Sequence, residues 1–370
     1  MKRAVVAGGG ILGTWHAIEL TRAGFSVQHL EADAGPTGAS VRNFGLIWVS
    51  GRRTGAELHA AQRSRHRWEE IGDDIAGIGF RPDGSLTVAQ NDGERKVMQE
   101  FAQHPDAAVR SITFVEPEDV PAVNPAVRGE TAGALHCTED AVVEPRRALG
   151  AMREYLDARG SYAFHPGRRV VALDDHAVID ATGERWEADL VVIATGAAFD
   201  HLPGAQQLAN RLRRVRLQMM ETAPLAQTLS TALADADSLR YYPAYEVVPQ
   251  DPLGAQNEVA TAHHLQLLLV QRADGGLTIG DTHAYGEPFD FALSEDPSIE
   301  LLARAERLLG APLPPVTRRW EGVYAQCTDG SVCGREEVAP DVWLVTGPGG
   351  RGMTCSPAIA ADTLTAAGVA

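Results

Sequence analysis

Gly8, Gly10 and Gly13 follow the apolar run at residues 3–7 in the spacing Gly-x-Gly-x-x-Gly. In such a turn the first glycine permits a tight reversal, the second lets backbone approach a pyrophosphate, and the third lets a helix pack closely on a strand. Ile11 and Leu12 open that helix, whose N-terminal amides would face the phosphates. Glu31, eighteen residues beyond Gly13 and followed by Ala32, stands where a carboxylate accepts hydrogen bonds from ribose hydroxyls. These residues point to capture of a dinucleotide. By themselves they leave open which one.

Two later segments favour a flavin over a nicotinamide. Residues 188–196 (ADLVVIATG) read as a buried strand ending in the small-residue turn Ala194-Thr195-Gly196, suited to passing close over an extended cofactor. A second glycine loop runs Thr346-Gly347-Pro348-Gly349-Gly350-Arg351-Gly352-Met353-Thr354, and Ser356 as N-cap with Pro357 as first helical residue predict a helix to about Ala367. Amides there could stabilise negative charge at the N1–C2=O edge of a reduced flavin.

These segments need a frame. Residues 3–7, a helix over 11–22 with Ile11, Trp15 and Ile18 at helical spacing, and a strand over 25–31 make a βαβ beginning. A helix is expected over 56–72, then strand, turn and strand over 80–89 around Pro82-Asp83-Gly84, with strands dominating the middle. A helix over 146–159 precedes strands over 168–173, 177–180 and 189–194 that are expected to rejoin the first sheet. Long strands follow between 217 and 285, including 266–271 and 277–280, then a helix over 297–309 and a final strand over 342–346.

The chain of 370 residues exceeds the size at which one core keeps growing, so two domains are expected, each assembled from separated segments. Residues 1–80, 143–214 and 321–370 form the cofactor domain, and 81–142 with 215–320 the substrate domain. A formal net charge of −16 argues against a nucleic-acid partner, while leaving room for a local basic pocket. Cys137, Cys327, Cys333 and Cys355 form no CxxC pair, so neither a metal site nor a disulfide framework is signalled, and a reduced, cytoplasmic protein is expected. The longest apolar stretches fall well short of the ~20 residues a membrane span requires.

The glycine turn, Glu31, Thr37-Gly38-Ala39-Ser40-Val41-Arg42-Asn43-Phe44-Gly45, the turn at 194–196 and the C-terminal glycine loop together resemble the D-amino-acid oxidase family of flavoproteins, which includes glycine oxidase and sarcosine oxidase. The resemblance covers most of the chain, is specific in its first and last fifty residues, and is loose in the substrate half. It implies an α/β fold: a Rossmann-type FAD-binding domain with an interleaved antiparallel-sheet substrate domain. It also implies that Ser40, Arg42 and Asn43, with Phe44 and Gly45, run along the pyrophosphate towards the isoalloxazine. Val170 would meet the adenine through its backbone, and residues 347–354 would line the pyrimidine edge. Residues 38–48 (GASVRNFGLIW) and Gly280-Asp281-Thr282-His283-x-Tyr285-Gly286 resemble, more narrowly, a bacterial subgroup associated with aminophosphonate breakdown.

Two departures matter. Gly322 stands where sarcosine oxidase relatives carry the cysteine that attaches FAD, so FAD is expected to be held non-covalently. Thr278 stands where they carry a lysine promoting reaction with oxygen, so the acceptor, oxygen or another, is open. A flavin takes hydride from a carbon beside an amine only if the substrate is held over N5. Candidate holding groups are Trp48, Tyr241, Tyr242, His283, Tyr285, Arg319 and Arg351, with His283 and Tyr285 preferred on the roof of the substrate cavity and Arg351, Arg319 and His283 as anion anchors. His263-His264, read as adjacent strand residues, would point to opposite faces and share no metal. No acid or base stands out. The activity implied is oxidation of a small anionic amine to an imine, with oxidation of a 2-hydroxy acid or non-catalytic flavin binding as alternatives.

Overall fold

The computed structural model describes residues 1–174, 176–200 and 205–369. A six-stranded sheet runs, edge to edge, through Gly334–Ala339, Val342–Thr346, Leu190–Ile193, Arg3–Ala7, Ser26–Leu30 and Tyr162–His165. All its pairings are parallel except the first, and Val5 lies between Val191 and Gln28. Strand Leu190–Ile193, and strand Arg3–Ala7 after its exposed Arg3, are apolar because both faces are covered. On one face helices Ile11–Arg22, Ala56–Asp74 and Gly352–Ala366 pack together, with Trp15 and Trp68 edge to face at 5.1 Å between ring centroids.

An eight-stranded mixed sheet carries the second half of the molecule, with Leu212–Pro224 and Val316–Cys327 as its two longest strands, paired so that Leu217 faces Gly322. Those two strands run through positions 214/215 and 320/321, so the expected segment boundaries fall inside strands. Residues alternate along the buried strands: Leu267 and Leu269 join a core under helix Asp296–Leu309, while Leu268 and Val270 join one under helix Asp92–Gln103.

Four sequence expectations are corrected. Strands Val170–Asp174, Ala177–Asp180 and Arg185–Glu187 form a separate three-stranded antiparallel sheet; only Leu190–Ile193 and Tyr162–His165 join the first sheet from that region. The middle is not all strand. Helix Asp92–Gln103 is capped by Asn91, whose side chain accepts from the Glu94 amide at 3.0 Å, and buries Val97, Met98 and Phe101. Residues 80–82 form no strand beyond an isolated bridge at Arg81, and His263-His264 close the short helix Glu258–Ala262 rather than lying on a strand.

Candidate active site

A cavity of about 1040 Å³ is lined from both sheets. At one end are Gly8, Gly10, Ile11, Leu12, Glu31, Ala32 and Val170, and along its floor Ser40, Arg42, Asn43 and Phe44 with the turn Ala194-Thr195-Gly196. At the other end lie Gly349, Gly350, Arg351, Gly352 and Met353, beside Trp48, His283 and Tyr285. Residues more than 300 positions apart thus share one elongated space.

The first end fits a dinucleotide. Helix Ile11–Arg22 begins at Gly10 with no side-chain cap from Gly10 and no acidic residue in its first turn, so its N-terminus, apart from the Ile11 amide, stays open to phosphate. Ser40 Oγ accepts from the Ile11 amide at 2.9 Å, tying the 39–45 segment to that helix start. Gly8 sits at φ 114°, and a Cβ there would lie 2.4 Å from the Ala194 carbonyl oxygen. Asn43 holds its own loop, donating to the Ala39 carbonyl at 2.9 Å and accepting from the Gly45 amide at 2.7 Å. Glu31 accepts from the amides of Gly9 at 2.6 Å and Asp33 at 3.0 Å, which fixes the carboxylate at the adenosine end. Glu31→Ala is expected to raise the dissociation constant for FAD at least about 10-fold, because a charged acceptor worth roughly 1.5–3 kcal/mol is lost and the Gly9 amide is left unpaired. Titration of apoprotein with FAD checks this; an unchanged affinity would place the adenosine elsewhere.

Some residues expected at the cofactor stand behind the lining. A Cβ on Gly13 would lie 1.9 Å from the Gly8 carbonyl oxygen, one on Gly45 2.1 Å from that of Val143, and one on Gly347 2.4 Å from a Leu212 methyl. Their role here is close packing. Thr354 is buried and accepts from the Trp48 amide at 2.9 Å. The last helix starts at Gly352, not at Ser356, and Pro357 lies inside it. Pro357 has no N–H for the Met353 carbonyl, and that carbonyl instead accepts the Trp68 indole N–H at 2.9 Å.

Gly322 lines the cavity, and a Cβ there would be in ordinary contact, 3.4 Å, with Arg42 Cβ. With no thiol at that position, FAD is expected to leave the protein on acid or heat denaturation. Flavin found in the precipitated polypeptide would refute this.

An aromatic cluster lines this end of the cavity. Trp48 and Tyr242 lie 5.9 Å apart by ring centroids, Tyr241 stacks on His283 at 4.4 Å, and His283 is parallel to Tyr285 at 6.2 Å. Burial pushes the Tyr241 and Tyr242 phenols upward, so both stay protonated. The cluster is fixed from behind: buried Asp140 accepts from the amides of Val49 at 2.6 Å and Ser50 at 2.9 Å, which pins the segment carrying Trp48 and Arg52.

The expected anion anchors are corrected. Arg319 does not line the cavity; it pairs with Glu295 at 3.3 Å on the partly exposed strand Val316–Cys327. Arg351 lines it but is committed, donating to Glu57 at 3.0 Å and to the carbonyls of Ser331 and Pro348 at 2.9 Å each. His283 is held neutral, its pKa pushed down to about 4 by burial, so at neutral pH it offers no charge. Among the described residues lining the cavity, the buried cation that remains is Arg52. Its Nε donates to the Trp48 carbonyl at 2.7 Å, while its terminal nitrogens have only distant neighbours: Thr354 Oγ1 at 3.4 Å and Glu57 at 3.9 Å.

Sequence reasoning quoted Asp281 in the 280–286 motif but gave it no role. It lines the cavity at 6% exposure, and its Oδ1 has no hydrogen-bond partner. Its Oδ2 lies 3.9 Å from Nε2 of His283. The available signal was its place directly after strand Gly276–Gly280, one residue before Thr282-His283. Thr278, by contrast, is buried between Glu221 and Val270 and does not line the cavity.

Comparison with known proteins agrees with this architecture. The chain is 24% identical over 380 residues to an opine oxidase subunit of Agrobacterium tumefaciens (strain Ach5), covering 98% of this chain and 93% of that one. It is 23% identical over 375 residues to a glycine oxidase of Bacillus licheniformis, covering 96% and 89%. The fold matches the crystal structure of glycine oxidase from Geobacillus kaustophilus with a TM-score of 0.78 at 19% identity, over 99% of this chain and 95% of that one. The family model described as "FAD dependent oxidoreductase" (DAO) matches residues 3–366, and the chain belongs to the DAO family of FAD-dependent oxidoreductases.

Proposed function

We propose that the protein oxidises the C–N bond of a small amine that also carries a carboxylate or phosphonate, giving an imine that water hydrolyses. The observation that carries this reading is the composition of the chamber near the glycine loop: buried Arg52, the buried carboxyl of Asp281 with an unpaired oxygen, and a set of aromatic rings, within the same cavity as the dinucleotide groove. Arg52 offers terminal N–H groups to a carboxylate or phosphonate, a geometry guanidinium matches bidentately. Aromatic faces stabilise an alkylated ammonium and exclude water. The similarity to an opine oxidase and a glycine oxidase, whose names denote oxidation of amine-bearing acids, points the same way.

Bound FAD supplies the hydride acceptor. The chain's own residues do the rest: Arg52 fixes the anionic end, the aromatic cluster keeps the reacting carbon dry, and Trp48, held by Thr354, limits how the substrate lies. The test is anaerobic mixing of the holoenzyme with glycine, N-methylglycine, iminodiacetate and 2-aminoethylphosphonate, set against 2-hydroxy acids and neutral amines of equal length. Bleaching of the flavin by an anionic amine supports the reading. Bleaching by hydroxy acids alone, or by none of the compounds, overturns it.

A further inference from the structure

The chamber contains a charge problem that an anion anchor does not solve. An alkylamine in water near neutral pH is protonated, with a pKa of about 10. Its neighbouring carbon cannot release hydride while the nitrogen has no lone pair. The proton must leave before oxidation, and a group in the chamber that accepts it lets the abundant ammonium form bind and react.

The groups facing this point can be enumerated. Tyr241 and Tyr242 come from the end of helix Asp237–Tyr241, Tyr324 from strand Val316–Cys327, Gln266 from the segment before strand Leu268–Gln271, and His283 and Tyr285 from the loop after strand Gly276–Gly280. Arg213, from strand Leu212–Pro224, sits over the Tyr285 ring at 4.1 Å. The tyrosines stay protonated. His283 Nδ1 lies 3.1 Å from the His264 carbonyl, which can only accept, so the hydrogen is on Nδ1 and Nε2 presents its lone pair towards Asp281. His283 is too weak a base to hold the proton itself. Asp281 is the carboxyl at this point, buried, with one oxygen unpaired.

We propose that Asp281 receives the substrate's ammonium nitrogen and takes its proton, with neutral His283 as its neighbour at 3.9 Å. The step is balanced: one N–H bond breaks, one O–H bond forms, the charges of ammonium and carboxylate cancel, and no electrons change hands. The nitrogen lone pair is thereby free to drive hydride departure from the adjacent carbon. Burial pushes the Asp281 carboxyl up to about 7, close to neutrality, where a proton acceptor works best. The sign follows: below that pH the carboxyl is already protonated and cannot accept, so turnover falls on the acid side.

This rests on the C–N reading above, and the experiment separates the two. Wild-type holoenzyme, Asp281→Asn and Asp281→Glu are compared for kcat/KM of flavin reduction by N-methylglycine, iminodiacetate and 2-aminoethylphosphonate between about pH 5.5 and 9.5. Binding of 2-amino-2-methylpropanoate, which has no hydrogen on its amine-bearing carbon, is read in parallel from perturbation of the flavin spectrum. The Asn variant is expected to lose about 100-fold in kcat/KM at pH 8, to move its acid limb towards the amine's own pKa, and to bind the unreactive amine at least 10-fold more weakly. The Glu variant is expected to keep an acid limb near neutrality. If the amines bleach the flavin but the Asn variant keeps the wild-type limb and affinity, the role of Asp281 is refuted while the C–N reading stands. If the Asn variant does not fold, a Glu variant without the limb refutes it equally. If no amine bleaches or perturbs the wild-type flavin, the C–N reading fails and this proposal fails with it.

Discussion

Gly13→Ala is expected to yield a protein that no longer retains FAD and that melts far below the wild type. The added methyl would lie 1.9 Å from the Gly8 carbonyl oxygen, a backbone atom that cannot swing aside. Relief requires helix Ile11–Arg22 to move off strand Arg3–Ala7 by more than an ångström, and both elements are buried against the first sheet. Overpacking of this kind costs about 1–3 kcal/mol and more where backbone must move, out of a total stability of about 5–15 kcal/mol. The same displacement carries the helix N-terminus away from the phosphates. Loss of even two charge-assisted hydrogen bonds, roughly 1.5–3 kcal/mol each, weakens FAD binding by about 100-fold or more. Gly150→Ala is the control. Gly150 lies inside helix Pro145–Asp157 with nothing within 4 Å of a Cβ, so this substitution is expected to stabilise by about 0.5–1 kcal/mol. Flavin-to-protein ratios and thermal melts decide the matter; a Gly13→Ala protein with full flavin content and wild-type melting would show that the tight glycine packing is dispensable.

Arg52→Met is expected to raise the half-saturating substrate concentration by about 100-fold or more while leaving the flavin bound. A guanidinium that makes two charge-assisted hydrogen bonds to an anion contributes roughly 3–6 kcal/mol, and methionine keeps the stem volume while removing the charge. The fold should tolerate it because Glu57 keeps Arg351 at 3.0 Å, so no carboxylate is stranded. The comparison variants separate the arginines. Arg319→Gln breaks only a partly exposed pair with Glu295 and should change neither affinity nor stability by more than about 1 kcal/mol. Arg351→Gln should cost stability and flavin affinity, since it strands buried Glu57 and releases the loop at Ser331. Steady-state kinetics with an anionic amine that bleaches the flavin provides the measurement. An unchanged half-saturation in Arg52→Met would remove Arg52 from the substrate site.

Features imposed by local backbone geometry and periodic burial were legible in the chain itself. Gly8, Gly10 and Gly13 announce a close approach because only glycine allows it, and the apolar runs at 3–7, 190–193 and 268–270 announce strands covered on both faces. Helix Asp92–Gln103 was missed although its Asn91 cap and its Val97, Met98 and Phe101 stripe were present, because its first turn holds Asp92-Gly93, a pair that reads as a turn. Charge was another matter. Arg351, Arg319 and Arg52 are the same residue type in sequence, yet one is committed to Glu57 across 294 positions, one is paired near the solvent, and one has terminal N–H groups to offer. His283 looked like a cation and is neutral; Asp281 was read only as part of the 280–286 motif and is a buried carboxyl of the chamber. The sequence by itself determined where backbone must come close to a cofactor, because that demand is met within a few residues. Only the tertiary structure decided which side chains are free to act, because pairing and desolvation depend on partners that folding brings together from the whole length of the chain.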